Sequence, residues 1–162
     1  MKRALYPGSF DPITNGHLNL IQRGVQAFGN LCVIVARNVQ KKYLFSVQER
    51  VDMIREAVRL FPNVEVDSFD GLLVDFAAKH GGDIVLRGMR AVSDFEHEFQ
   101  MVLMNRRMRP ELETVFMMTG EEYFYVSSQL VREVASFGGS VRGLVPSHVE
   151  NALRHKLASK GG

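Results

Sequence analysis

The chain has 162 residues, a net charge of +2, 46% hydrophobic residues and 23% charged residues. That supports one sizeable core, is too apolar for a disordered chain, and lacks the basic stripe expected of a nucleic-acid binder. A single cysteine, Cys32, excludes an internal disulfide and a cysteine metal cluster, and its setting in Leu-Cys-Val-Ile-Val-Ala reads as a buried strand.

The first expected strand covers residues 3–6 and stops at Pro7-Gly8, ahead of any signal-peptide core. Ser9, Phe10, Asp11 and Pro12 then lead to a helix starting at Thr14–Asn15, with Gly16 and His17 in its first turn. A strand that delivers a glycine turn to a helix N-terminus makes an anion site, because free N–H groups and the positive end of the helix dipole face the ligand together. His17 adds a donor aimed at that anion or, in the plainer reading, caps a neighbouring carbonyl. Ser9 is either a ligand contact or a turn residue. Leu18, Ile21, Val25 and Phe28 give the helix one apolar face.

Residues 31–36 form the second strand and the longest aliphatic run, far short of a membrane span. The loop 38–42 follows, where Lys41 and Lys42 are a solvated pair or a phosphate contact. Ser46 and Glu49 form a capping-box pattern for a second helix carrying Val47, Val51, Ile54, Val58 and Phe61. A strand over 64–68 leads through 69–73 to a third helix with Leu72, Leu73, Phe76 and Ala77, ended by Gly81-Gly82.

The fourth strand, 83–87, delivers Arg87-Gly88-Met89-Arg90. Two guanidiniums around a glycine can clamp a phosphate, or they can pair with Asp94 or Glu96. A fourth helix, opened by a Ser93…Glu96 box, is striped by Phe95, Phe99, Val102 and Leu103, with Glu98 on its polar side. Met101, Met104 and Met108 read as core or subunit interface. After a strand over 114–118 comes segment 121–129, and a fifth helix begins near Ser127–Ser128 and stops at Gly138-Gly139. Those serines are helix caps or phosphate contacts. Ser147 with Glu150 opens a sixth helix bearing Val149, Leu153 and Leu157, and the tail from Lys160 to Gly162 is expected to fray. His80, His97, His148 and His155 show no metal spacing.

The alternation predicts an α/β fold, a doubly wound five-stranded parallel sheet in one domain over 1–162. Every polar or basic cluster follows a strand, which places the clusters on one rim and argues for one site.

Gly8-Ser9-Phe10-Asp11-Pro12 followed by Thr14-Asn15-Gly16-His17 resembles the nucleotidyltransferase superfamily with its T/H-x-G-H signature, and Val126-Ser127-Ser128 matches its second, serine-rich signature. Leu86-Arg87-Gly88-Met89-Arg90-Ala91-Val92-Ser93-Asp94-Phe95-Glu96, with Met104-Asn105-Arg106, narrows the likeness to the bacterial phosphopantetheine adenylyltransferase family over nearly the whole chain. The resemblance implies a Rossmann-like nucleotidyltransferase fold. It also implies adenylyl transfer from ATP to 4′-phosphopantetheine, giving 3′-dephospho-CoA and pyrophosphate, the penultimate step of coenzyme A synthesis. By the same likeness His17 stabilises the transition state and contacts ATP, as do Ser9 and Phe10. Ser9, Lys41 and Arg87 hold the pantetheine phosphate, and Leu73 lines the pantetheine arm. Gly88, Met89, Arg90, Glu98, Tyr123, Phe124, Tyr125, Val126, Ser127, Ser128 and Gln129 complete the ATP site. Mg²⁺ bound through ATP phosphates, a cytoplasmic homohexamer and inhibition by CoA are further implications, with no nucleic-acid or membrane partner. Ser9 stands where the family usually has threonine and keeps the hydroxyl. Gln129 stands where it has a third Ser or Thr, which leaves a backbone N–H for that contact.

Overall fold

The computed structural model describes residues 3–161. Strands β1 (Arg3–Gly8), β2 (Asn30–Arg37), β3 (Val64–Asp70), β4 (Ile84–Met89) and β5 (Glu113–Met118) form one all-parallel sheet in the order β3-β2-β1-β4-β5. The chain winds outward from β1 to β3, then crosses back to place β4 on the other side of β1. That reversal is the topological switch point at which such sheets bind ligands. The doubly wound parallel sheet is as the sequence predicts. Its functional strands run further than expected. Gly8 stays in register with Val35 and Met89 with Met118, so Arg87 and Gly88 lie within β4 and not in the loop after it.

Helices α1 (Asn15–Phe28), α2 (Val47–Ala57), α3 (Leu73–His80), α4 (Val92–Met108), α5 (Ser128–Ser136) and α6 (Ser147–Ala158) complete the fold. Successive strand residues point to opposite faces, and the core divides accordingly. Ala4, Tyr6, Leu31, Val33, Val35 and Leu86 pack with Leu20 and Ile21 of α1, Val51 and Ile54 of α2, Val131 of α5 and Leu153 of α6. Leu5, Cys32, Ile34 and Val85 face the other way, against Val74, Phe76 and Ala77 of α3. Each fully buried aliphatic side chain contributes about 1.5–3 kcal/mol. Among the described residues no helix is long and apolar enough to cross a membrane.

The helix starts agree with the sequence at two places and differ at two. Ser46 and Glu49 form the reciprocal box at α2, and Ser127 Oγ accepts the Leu130 N–H at α5. The Ser93…Glu96 box does not form. Asp94 reaches back to the N–H groups of Arg90 and Ala91, which starts α4 at Val92 and puts Ser93 inside the first turn. Ser147 makes no side-chain cap at α6, because the helix starts at Ser147 with Pro146 before it, the Glu150 N–H donates to Pro146 O at 3.0 Å, and the Glu150 carboxylate pairs with Arg154 at 2.6 Å. The α4 stripe also departs from expectation: Phe95, Phe99 and Leu103 are exposed, together with Met101, Met104 and Met108, so this face is not core within the chain. In the tail the Lys160 N–H donates to Leu157 O at 3.2 Å, and Gly162 lies outside the described residues.

Candidate active site

The site begins where the sheet comes apart. β1 and β4 pair only at Ala4–Ile84 and Leu5–Val85. Beyond those pairs β1 stays with β2 and β4 stays with β5, so residues 6–8 and 87–89 face each other across a split. Arg87 bridges it: Nη1 donates to Pro7 O at 2.6 Å, while Nε and Nη2 donate to the two oxygens of Glu98 at 2.7 and 2.5 Å. Those bonds use three of five N–H groups and leave two for a ligand. A Cβ at Gly88 would sit 2.4 Å from Leu20 Cδ1, so a larger residue here would make the Leu20 side chain of α1 turn aside.

The turn after β1 is shaped by Phe10. Its φ is +47°, a left-handed conformation that is rare for an aromatic residue. Gly8 makes room for it, since a Cβ there would lie 3.0 Å from the Phe10 ring. The ring packs edge-on against Tyr6 at 5.3 Å and His17 at 5.0 Å.

Thr14 caps α1 and also fixes the His17 ring. The Thr14 backbone N–H donates to Nδ1 at 3.0 Å, and Thr14 Oγ1 accepts the His17 N–H at 3.3 Å. Because Nδ1 accepts, the ring proton resides on Nε2. Burial, then the positive charges of Arg90 and Arg87, lower the His17 pKa from 6.5 to about 4. His17 is therefore a neutral Nε2–H donor at physiological pH.

Arg90 lies beside His17 and pairs with Asp94 at 3.5 Å. Ser127 and Ser128 approach from α5, and Ser128 Oγ donates to Pro12 O at 2.7 Å. These groups surround one cavity of about 400 Å³. Of the expected site residues, Ser9, Phe10, His17, Arg87, Gly88, Arg90, Glu98, Val126, Ser127 and Ser128 line it. Lys41, Leu73, Met89, Tyr123, Phe124, Tyr125 and Gln129 lie outside it. Lys41, Phe124, Tyr125 and Gln129 are exposed, and Leu73 is half-buried at the start of α3. Of the ion pairs foreseen for the arginines, Arg90 with Asp94 forms, while among the described residues Glu96 pairs with neither arginine and Arg87 pairs instead with Glu98.

Four further residues hold this geometry, though none of them is assigned a role in the site from sequence. Thr14 stands three residues before His17, the spacing of a capping box with histidine in place of Glu or Gln, which was the available signal. Asp11 is buried, and its two oxygens accept the N–H groups of Leu44 and Phe45 at 2.9 and 3.0 Å, tying the turn after β1 to the base of the loop after β2. Arg132 of α5 donates to Asp11 O. Arg50, 1% exposed, donates to Ser9 O at 2.7 Å and lies 4.0 Å over the Tyr43 ring. Sequence spacing carries no trace of the last two contacts.

Chemically the cavity is a set of fixed cations and neutral donors, suited to phosphate groups. Its two carboxylates, Asp94 and Glu98, are both committed to arginines. Among the described residues no three His, Cys, Asp or Glu side chains group into a metal cage.

The cytidylyltransferase-like family model matches residues 5–134. A phosphopantetheine adenylyltransferase of Anaeromyxobacter sp. (strain K) is 62% identical over 156 residues, 96% of this chain and 95% of that one. Proteins of the same name from Syntrophus aciditrophicus and Carboxydothermus hydrogenoformans are 54% and 50% identical, covering 99% of this chain and 98% and 99% of their own lengths. With a switch-point cavity built for phosphates and relatives of this likeness end to end, the chain belongs to the cytidylyltransferase-like nucleotidyltransferases and, within them, to the phosphopantetheine adenylyltransferase family.

Proposed function

We propose that the chain transfers the adenylyl group of ATP to 4′-phosphopantetheine, yielding 3′-dephospho-CoA and pyrophosphate. The observation that carries this reading is the convergence of His17, Arg87, Arg90 and the start of α5 on one cavity. A phosphate oxygen of 4′-phosphopantetheine attacks the α-phosphorus of ATP, the new P–O bond forms, and the bond to the β-phosphate oxygen breaks to release pyrophosphate. The nucleophile is already anionic near neutral pH, so no general base is needed. The barrier is the repulsion between two anions, and the site's task is to neutralise and align them.

His17 Nε2–H and the N-terminal N–H groups of α1 receive the charge that grows on the α-phosphate. Each such preorganised donor contributes roughly 2.7–4 kcal/mol. Arg90, Ser127 and Ser128 hold the rest of the nucleotide, with Ser9, Phe10, Gly88 and Val126 at its surface and Glu98 acting through Arg87. Arg87 presents its two spare N–H groups to the acceptor phosphate. Lys41 reaches that phosphate from the loop, and Leu73 flanks the pantetheine arm. Met89, Tyr123, Phe124, Tyr125 and the Gln129 backbone bound the nucleotide from outside the cavity.

A Mg²⁺ ion held by the ATP phosphates and water fits a site whose own carboxylates are occupied, and it would neutralise the leaving pyrophosphate. We place the protein in the cytoplasm as a homohexamer assembled through the exposed apolar face of α4, a patch of the kind that marks interfaces. CoA, which contains both the adenylyl and pantetheine parts, would occupy both halves of the site and inhibit. The test is to mix the protein with ATP, Mg²⁺ and 4′-phosphopantetheine and weigh the products. Dephospho-CoA is expected; pyrophosphate release only with a different acceptor, such as nicotinate mononucleotide or glycerol phosphate, overturns the assignment.

A further inference from the structure

Tyr6 is the first β1 residue beyond the last pair that joins β1 to β4. The residue is 4% exposed and lines the cavity; its hydroxyl makes no hydrogen bond among the described residues and is not among the enclosed unpaired atoms, so it opens onto the cavity. A Cβ built on Gly88, across the split, would lie 3.9 Å from Tyr6 Oη. The bare backbone of Gly88 therefore leaves the space in front of the phenol open.

A phenol so buried ordinarily has a partner. The ring's packing does not explain the hydroxyl, because the edge-on contact with Phe10 would be the same for phenylalanine. Burial raises the Tyr6 pKa well above that of an ordinary tyrosine, so the group stays protonated and can donate at any working pH. The positive charges of Arg87 and Arg90 act on the same space, opposed by the one carboxylate of Glu98, which favours an anionic acceptor. Tyr6 packs on the α1 face of the sheet with Phe10, next to His17, whereas Arg87 turns to Glu98 of α4.

We propose that Tyr6 is a nucleotide-contacting residue whose Oη–H donates to a phosphate oxygen of ATP at the floor of the split between β1 and β4. The inference rests on the adenylyltransferase reading for the identity of the nucleotide. Tyr6 would then be the site's uncharged counterpart to the arginines: a donor that binds without adding to the positive field.

Tyr6→Phe in the full chain removes only the oxygen. Two results are expected together. The melting temperature stays level, since the lost hydroxyl opens onto the cavity and bonds nothing within the protein. The Kd for ATP, measured by calorimetry without acceptor, rises about tenfold to a hundredfold, as for a hydrogen bond to a charged group, while the Kd for 4′-phosphopantetheine is unchanged. An unchanged ATP Kd overturns the proposal, and so does a loss confined to 4′-phosphopantetheine. Should Tyr6→Phe not fold, 3-fluorotyrosine at position 6 gives a second readout: its ¹⁹F resonance should shift with ATP and not with 4′-phosphopantetheine, and an unmoved signal sinks the idea. Wild-type formation of dephospho-CoA is scored separately. Its absence would refute the adenylyl-transfer reading while leaving the ATP-binding result to decide Tyr6.

Discussion

The two halves of the candidate site are built differently. Around His17 every group is held in place: Thr14 orients the imidazole, Phe10 packs on it and Asp94 holds Arg90. On the side proposed for the acceptor, Glu98 and Pro7 O hold Arg87, whereas the Lys41 side chain is exposed on a loop whose backbone is turned by Lys41 N–H to Asn38 O at 3.1 Å and closed at its base by Asp11 to Leu44 and Phe45. A rigid half can stabilise a transition state, because its dipoles need no reorganisation when charge develops. A half that includes an exposed lysine can admit and release a long substrate, but fixing that side chain costs entropy on every binding event. The division implies that damage to the first half appears in kcat and damage to the second in KM.

The largest test of that contrast is His17→Ala. Loss of the Nε2–H donor should lower kcat by about 10² to 10³ with the melting curve still cooperative; a variant with near-normal kcat would remove His17 from the chemistry. Next in size is Lys41→Ala. It should raise KM for 4′-phosphopantetheine by about tenfold or more, in the range of one charge-assisted hydrogen bond, with kcat little changed. An effect confined to ATP would dissolve the distinction between the halves. The smallest expected effect is a null one. In an NMR titration of the free enzyme, the His17 ring should keep one protonation state from pH 8 to about 5, since its pKa is lowered to about 4. The linked stability has a definite sign. Between pH 6.5 and 4 the unfolded chain binds the proton and the folded one does not. Folding stability from this group is thus complete above 6.5 and is lost as pH falls toward 4. A His17 titration near 6.5 would mean that the imidazole is not desolvated as its surroundings require.

Much of this architecture is legible in the sequence because it depends on local patterns. Short apolar runs alternating with three-and-four periodicity specify the sheet order class, and Ser46 with Glu49 specifies a helix start that forms. The failures share one cause, competition from groups that spacing does not reveal. Asp94 displaces Ser93 as the start of α4 because a carboxylate two residues inside the helix reaches two backbone N–H groups at once. Glu150 serves Arg154 instead of its own helix end. The α4 stripe shows helical period but not what covers it; Phe95, Phe99 and Leu103 meet solvent within this chain. In the site, His17 and the Arg87–Arg90 pair are visible from their neighbours. Asp11, Arg50 and Tyr6 are not, since their importance arises only when β1, β2 and β4 are brought side by side.

The burial of Cys32 matters for an enzyme handling pantetheine. That arm ends in a free sulfhydryl, so any accessible, ionisable sulfur on the protein would invite covalent capture by oxidised substrate. This chain carries one sulfhydryl, fully enclosed in β2, and the enclosure pushes its pKa up to about 11. Thiolate is the attacking species in disulfide exchange, so enclosure and the raised pKa both disfavour capture of the folded protein by the compound it processes.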